Sequence, residues 1–176
     1  YLMENDIAAM NLHTNLDCCP GGVNDVLAET LGLQNVEILN PMGTDAQGRP
    51  YGLIRMGEVE AQDVPAFAAF VKKVLSCPGV RFADAGKQVC RVAVGGGSCG
   101  SEIEDVIQAG CDTLVTADLK YNHFEEAKYR GLNLIDAGHF ETEDPVCAVL
   151  ERVLKNAFPE LTVFRAKTHR DETQFL

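Results

Sequence analysis

Short apolar runs alternate with amphipathic stretches along this chain, and the alternation predicts its elements. Ile7 to Leu12 is a short apolar run that predicts a buried strand ending at His13. Pro20-Gly21-Gly22 marks a turn. A helix beginning at Asn24-Asp25 would carry Val26, Leu27 and Leu31 inward and stop at Gly32. Val36 to Leu39 reads as a strand, Thr44 to Pro50 as a hairpin-type loop or lid, and Tyr51 to Val59 as an antiparallel strand at a sheet edge. Asp63, with Pro65 in the first turn, caps a helix with Phe67, Phe70, Val71 and Val74 at helical spacing. Val80 to Ala83 and Cys90 to Val94 are further strands, the second running into Gly95-Gly96-Gly97-Ser98.

Ser101-x-x-Glu104 has capping-box spacing and opens a helix to Ala109. Thr113 to Thr116 is a strand, Asn122 to Tyr129 a helix, and Leu132 to Ala137 another strand. Thr142 or Asp144 is placed to cap the last helix, with Pro145 in its first turn. Thr162 to Ala166 gives a final strand. Strands and helices alternate with connections long enough for parallel crossovers, so the fold class is α/β with a mixed sheet.

Composition narrows the function. Among 176 residues 46% are hydrophobic and 23% charged, as in ordinary globular proteins. No apolar run nears the roughly 20 residues of a membrane span. A net charge of -11 argues against a broad nucleic-acid-binding surface, although ligands held through metal ions remain compatible with it. The seven cysteines are scattered, with no Cys-x-x-Cys, which fits reduced, partly buried thiols in a cytoplasmic protein. The chain opens on Tyr1 within a structured-looking segment, so it is expected to be part of a longer protein.

Two stretches carry candidate chemistry. His139-Phe140-Glu141-Thr142-Glu143 and His13-Thr14-Asn15-Leu16-Asp17 each set a histidine four residues before a carboxylate, after a predicted strand. In open α/β sheets functional groups collect beyond the carboxyl ends of strands. Imidazole and carboxylate together suit zinc, iron or manganese and leave positions open for water. The mundane reading is that such side chains bond nearby backbone, and two copies at strand ends weigh against it. The Gly95 to Ser101 stretch either offers amides to an anion or lets the chain turn sharply and pack closely. Asp118 either orients a ligand histidine or sits at a solvated helix start; Lys120 either meets a substrate phosphate or does the same. His169 reads as a surface residue, and Cys18-Cys19 as small packed hydrophobes.

Three stretches together resemble the dinuclear metal-centre hexameric family, the GTP cyclohydrolase I type 2 homologs. They are His13 to Asp17 with Pro20 to Asn24; Gly95 to Ser98; and Thr116 to Tyr121 through Asp136 to Glu143. The resemblance implies two intertwined, similar lobes, each with a mixed sheet, here approximately 1-45 plus 130-176 and 46-129. It implies a toroidal homohexamer and two divalent ions per subunit of the full-length protein. Residues matching Asp17, His139 and Glu143 would be metal ligands, and His13 a candidate for proton transfer or substrate contact.

Family members also carry an adjacent histidine pair upstream of the His-Thr-Asn-Leu-Asp motif, which this sequence does not include. Many relatives have His where Asn122 stands, so no role passes to Asn122 or His123. The expected function is that of a metal-dependent hydrolase acting on a nucleotide or related small molecule. The alternative is a non-enzymatic metal-binding or regulatory ring protein.

Overall fold

A computed structural model describes residues 1–176. One six-stranded mixed sheet organises the chain. Its strands are β1 (Gln34–Leu39), β4 (Ile54–Gln62), β5 (Arg81–Ala83), β6 (Val89–Val94), β7 (Thr113–Thr116) and β8 (Asn133–Asp136), in the order β1-β4-β6-β7-β8-β5. β6, β7 and β8 are mutually parallel; β4 runs antiparallel to β1 and β6, and β5 antiparallel to β8. A short hairpin, β2 (Gly43–Thr44) with β3 (Pro50–Tyr51), stands apart from the main sheet.

Period-two alternation assigns the two faces of the parallel core. Val92, Val94, Val115 and Ile135 point to one side, where α2 (Val23–Thr30) and α3 (Val64–Val74) bring Leu27, Phe67 and Val71. Ala93, Leu114 and Leu134 point to the other, against Ile103 and Val106 of α4 (Ile103–Gln108) and Ala127 of α5 (Tyr121–Tyr129). Burying a side chain of this size contributes about 1.5–3 kcal/mol. Asp63 caps α3 as expected, its Oδ1 accepting from Ala66 N–H at 2.7 Å. Gly32 ends α2 at φ 73°, a left-handed value that glycine adopts without steric cost.

Several expectations are corrected. Ile7 to Leu12 forms no strand and is exposed throughout, because no neighbouring strand supplies ladder partners. His13 and Asp17 therefore do not follow a strand; they sit one helical turn apart on α1 (Thr14–Cys18), with His13 at its N-cap. Thr162 to Ala166 likewise has no partner strand and stays irregular. The Tyr51 to Val59 segment is antiparallel as expected, but β1 takes the edge outside it. Ser101 makes no capping box: its hydroxyl turns to the neighbouring Glu102, and a 3-10 turn precedes α4. Neither Thr142 nor Asp144 caps α7 (Val146–Ala157), whose N-cap is Pro145.

Candidate metal centre

The parallel strands β6, β7 and β8 end side by side at Val94, Thr116 and Asp136, and the loops leaving them build the site. Backbone bonding continues past the strand ends: Gly95 N–H reaches Val115 O (3.0 Å), Ala117 N–H reaches Gly97 O (2.8 Å) and Ala137 N–H reaches Thr116 O (2.9 Å). Buried side chains hold the glycine loop from below. Asn24 Oδ1 accepts from Gly96 N–H (2.6 Å), Thr142 Oγ1 from Gly97 N–H (2.9 Å) and Thr116 Oγ1 from Cys99 N–H (3.0 Å). With those amides engaged, the loop's turning and packing role prevails over anion binding.

His139 and Glu143 lie one turn apart on α6 (His139–Glu143), which follows β8 across Gly138. His139 Nε2 is 3.1 Å from Glu143 Oε1, and its Nδ1 is 2.7 Å from Asp118 Oδ2 on the loop after β7. Of the two alternatives for Asp118, the orienting contact is the one formed. Asp136, buried at the end of β8, ties these loops together: Oδ2 accepts from Leu119 N–H (3.1 Å), Oδ1 from Gly138 N–H (3.2 Å), and Arg81 pairs with it.

Gly97 lies directly beneath the pair. At φ 63° it adopts a left-handed conformation, and a Cβ there would fall 2.6 Å from Glu143 Oε1 and 3.1 Å from His139 Nε2. Glycine is the residue that lets these two donors come together over the loop. No sequence signal distinguished Gly97 from its neighbours.

Asp17 and His13 approach from α1, near enough for Asp17 to feel the charges of Glu143 and His139. His13, Asp17 and Glu143 line one cavity of about 490 Å³, and His139 stands at an adjoining one of about 280 Å³ with Asp118; Phe140 lies between and lines both. Burial raises the Asp17 carboxyl above its ordinary value, Glu143 raises it further, and His13 and His139 act in the opposite sense. For His139, burial pulls the imidazole down, but the Asp118 hydrogen bond and the charges of Glu143 and Asp118 leave it above its ordinary value. The charges of Glu143, His13 and His139 act on Asp17, and no lysine or arginine charge shifts either Asp17 or His139.

This donor set fits a divalent cation. His139 Nε2 and Glu143 Oε1 converge, and Asp118 stands behind the imidazole in the place of the partner that a metal-ligating histidine uses. Lys120 lies outside the cluster; its N–H is 3.3 Å from His123 Nδ1, so both residues serve the start of α5. Cys18 packs in the interior, as expected of it, and all seven cysteines are free.

A second donor group lines the larger cavity together with His13, Asp17 and Glu143. Ligand atoms of Asp144, Cys147 and His169 all lie within 4.8 Å of one another. His169 is thus placed against donors rather than isolated on the surface. The Cys147 thiol is raised by burial and by Asp144, with Arg165 acting the other way.

A family model described as Duf34/NIF3 (NGG1p interacting factor 3) matches residues 1–172. The chain is 30% identical over 178 residues to a Clostridium perfringens protein named GTP cyclohydrolase 1 type 2 homolog, covering 99% of this chain and 67% of that protein. It is 37% identical to a Streptomyces coelicolor protein of the same name, covering 97% of this chain and 62% of the relative. The chain therefore spans about two thirds of the length of these relatives or less. The crystal structure of Staphylococcus aureus hypothetical protein SA1388 superposes with a TM-score of 0.90 at 30% identity, covering 99% of this chain and 71% of that one.

Proposed function

The chain belongs to the Duf34/NIF3 family, and on that premise we propose that it binds divalent metal through Asp17, His139 and Glu143 and acts as a metal-dependent hydrolase on a nucleotide or related small molecule. The observation that carries this reading is the convergence of His139 Nε2 and Glu143 Oε1 over Gly97, with Asp118 holding the other imidazole nitrogen. The fit is to zinc, iron or manganese, two ions per subunit following the family resemblance. When bound, such ions supply Lewis acidity and water that ionises near neutral pH.

The chain's own residues do the rest. Asp118 fixes the His139 ring so that Nε2 points into the site. Two carboxylates without a cationic side chain between them create a field that favours a cation. His13, exposed beside the cavity that Asp17 and Glu143 line, would exchange protons with a bound substrate. Asp17, His139 and Glu143 would hold the metal, and three protein donors would leave coordination positions for water or substrate. The names of the relatives motivate the nucleotide class. The toroidal homohexamer belongs to the same proposal, and light scattering on the full-length protein tests it.

The deciding experiment assays the metal-loaded protein against a nucleotide and phosphoester panel beside Asp17→Ala. Turnover in the parent that is lost in the variant supports the hydrolase. Equal, negligible turnover in both, with tight metal binding by the parent, would instead assign a metal-binding role without catalysis.

A further inference from the structure

Asp144, Cys147 and His169 converge by a route separate from the strand ends. Asp144 immediately follows α6 and Cys147 lies in the first turn of α7, where its N–H reaches Asp144 O (3.0 Å), so both side chains share one helical face. His169 arrives from the irregular tail after α7. Its ring packs on Phe140 with centroids 4.9 Å apart, and its Nε2 lies 3.3 Å from Asp144 Oδ1. The ligand atoms of all three fall within 4.8 Å of one another on the wall of the about 490 Å³ cavity.

We propose that these three residues form a second cation site, for a borderline-soft divalent ion of the zinc class. Thiolate, imidazole and carboxylate are the donors that zinc takes in tetrahedral sites, whereas magnesium and calcium select oxygen. Three protein donors leave the fourth position to water, facing the cavity. On binding, the Cys147 thiol loses its proton to solvent as sulfur joins the ion. Arg165 pairs with Asp144 and competes with the ion for that carboxylate. The inference does not rest on the hydrolase reading, since none of its donors is Asp17, His139 or Glu143.

Cobalt(II) titration of the reduced full chain at mildly alkaline pH provides the test. A thiolate-to-cobalt charge-transfer band is expected in the parent and also in Asp17→Ala, which separates this site from the one at the strand ends. Cys147→Ser, checked for folding by circular dichroism, should lose the band. His169→Ala should weaken cobalt binding at this site by roughly tenfold or more. Arg165→Gln should tighten it severalfold by removing the competing cation. Absence of the band in the parent, or its persistence in Cys147→Ser, would overturn the proposal.

Discussion

Around His139 the donors stand on the rigid end of a parallel sheet: α6 follows β8, Asp118 follows β7, and Gly97 follows β6. Around Asp144 they stand on the start of α7 and on an irregular tail, with one aromatic contact and one arginine pair holding His169 and Asp144 in place. Both clusters combine histidine with carboxylate, and Asp17 and Glu143 share the about 490 Å³ cavity with Asp144, Cys147 and His169. They differ in what fixes the geometry. Backbone ladders and buried hydroxyls pre-position the first, so its donors meet without ordering a flexible segment. The second must hold a chain segment in place, and ordering each residue costs about 1–2 kcal/mol of conformational free energy. The strand-end cluster should therefore bind metal more tightly and depend more steeply on single backbone positions.

The largest effect that would break this contrast comes from removing a strand-end donor. His139→Ala should lower metal affinity there by more than about a hundredfold, since removing a supporting partner alone typically costs 10–100-fold. Metal analysis after dialysis, with the cobalt–thiolate band of Cys147 as internal control, checks it. A parallel loss of both sites would mean that the clusters are not independent.

Gly97→Ala comes next. A β-carbon in this left-handed conformation costs roughly 1–2 kcal/mol and would also press on Glu143 Oε1. Urea denaturation should show that loss, together with weakened metal binding. Unchanged stability and affinity would remove Gly97 from its role beneath the site. The equivalent change at Gly110, a left-handed glycine with open space at its Cβ position, separates backbone strain from crowding of the donors.

Asp118→Asn should cost about 10–100-fold in metal affinity, the usual range for a residue behind a ligand histidine. In metal-free protein it should also lower the His139 pKa, read by NMR titration of the imidazole protons. If His139 titrates unchanged in the variant, Asp118 does not act through the ring.

The smallest and most diagnostic effect is the pH dependence. His139 lies above its ordinary 6.5, so in metal-free protein the stabilisation from its acidic neighbours is fully present below 6.5 and is lost as pH rises through the raised value. The same proton competes with metal, so affinity should fall as pH drops through that window. Asp17 acts in the same direction in a lower window, through its neutral form: its carboxyl is raised above 3.8, and metal-free protein should lose stability as pH climbs from 3.8 toward the raised value. Calorimetric unfolding and cobalt titrations at stepped pH measure both.

Much of the chain follows from local pattern. The runs at Val89–Val94, Thr113–Thr116 and Asn133–Asp136, separated by helical spacing, give a parallel core because side chains alternating across a strand must find apolar cover on both faces. The pairing of a histidine with a carboxylate four residues on was legible at His139 and Glu143 for the same reason, as one helical turn is a local distance. Local pattern misled where its outcome depended on a distant partner. Ile7 to Leu12 and Thr162 to Ala166 look like strands, yet a strand exists only where another offers its hydrogen bonds.

The sequence by itself determined the α/β class, the boundaries of most helices and strands, and the residue types able to hold a divalent ion. It did so because secondary structure and one-turn spacings are short-range properties of a chain. Tertiary structure alone decided that Asp118 lies behind His139, that Gly97 leaves room beneath it, and that His169 comes back to Asp144 and Cys147. Each of those contacts joins residues 21 or more positions apart, and only packing of the sheet and its loops brings such residues together.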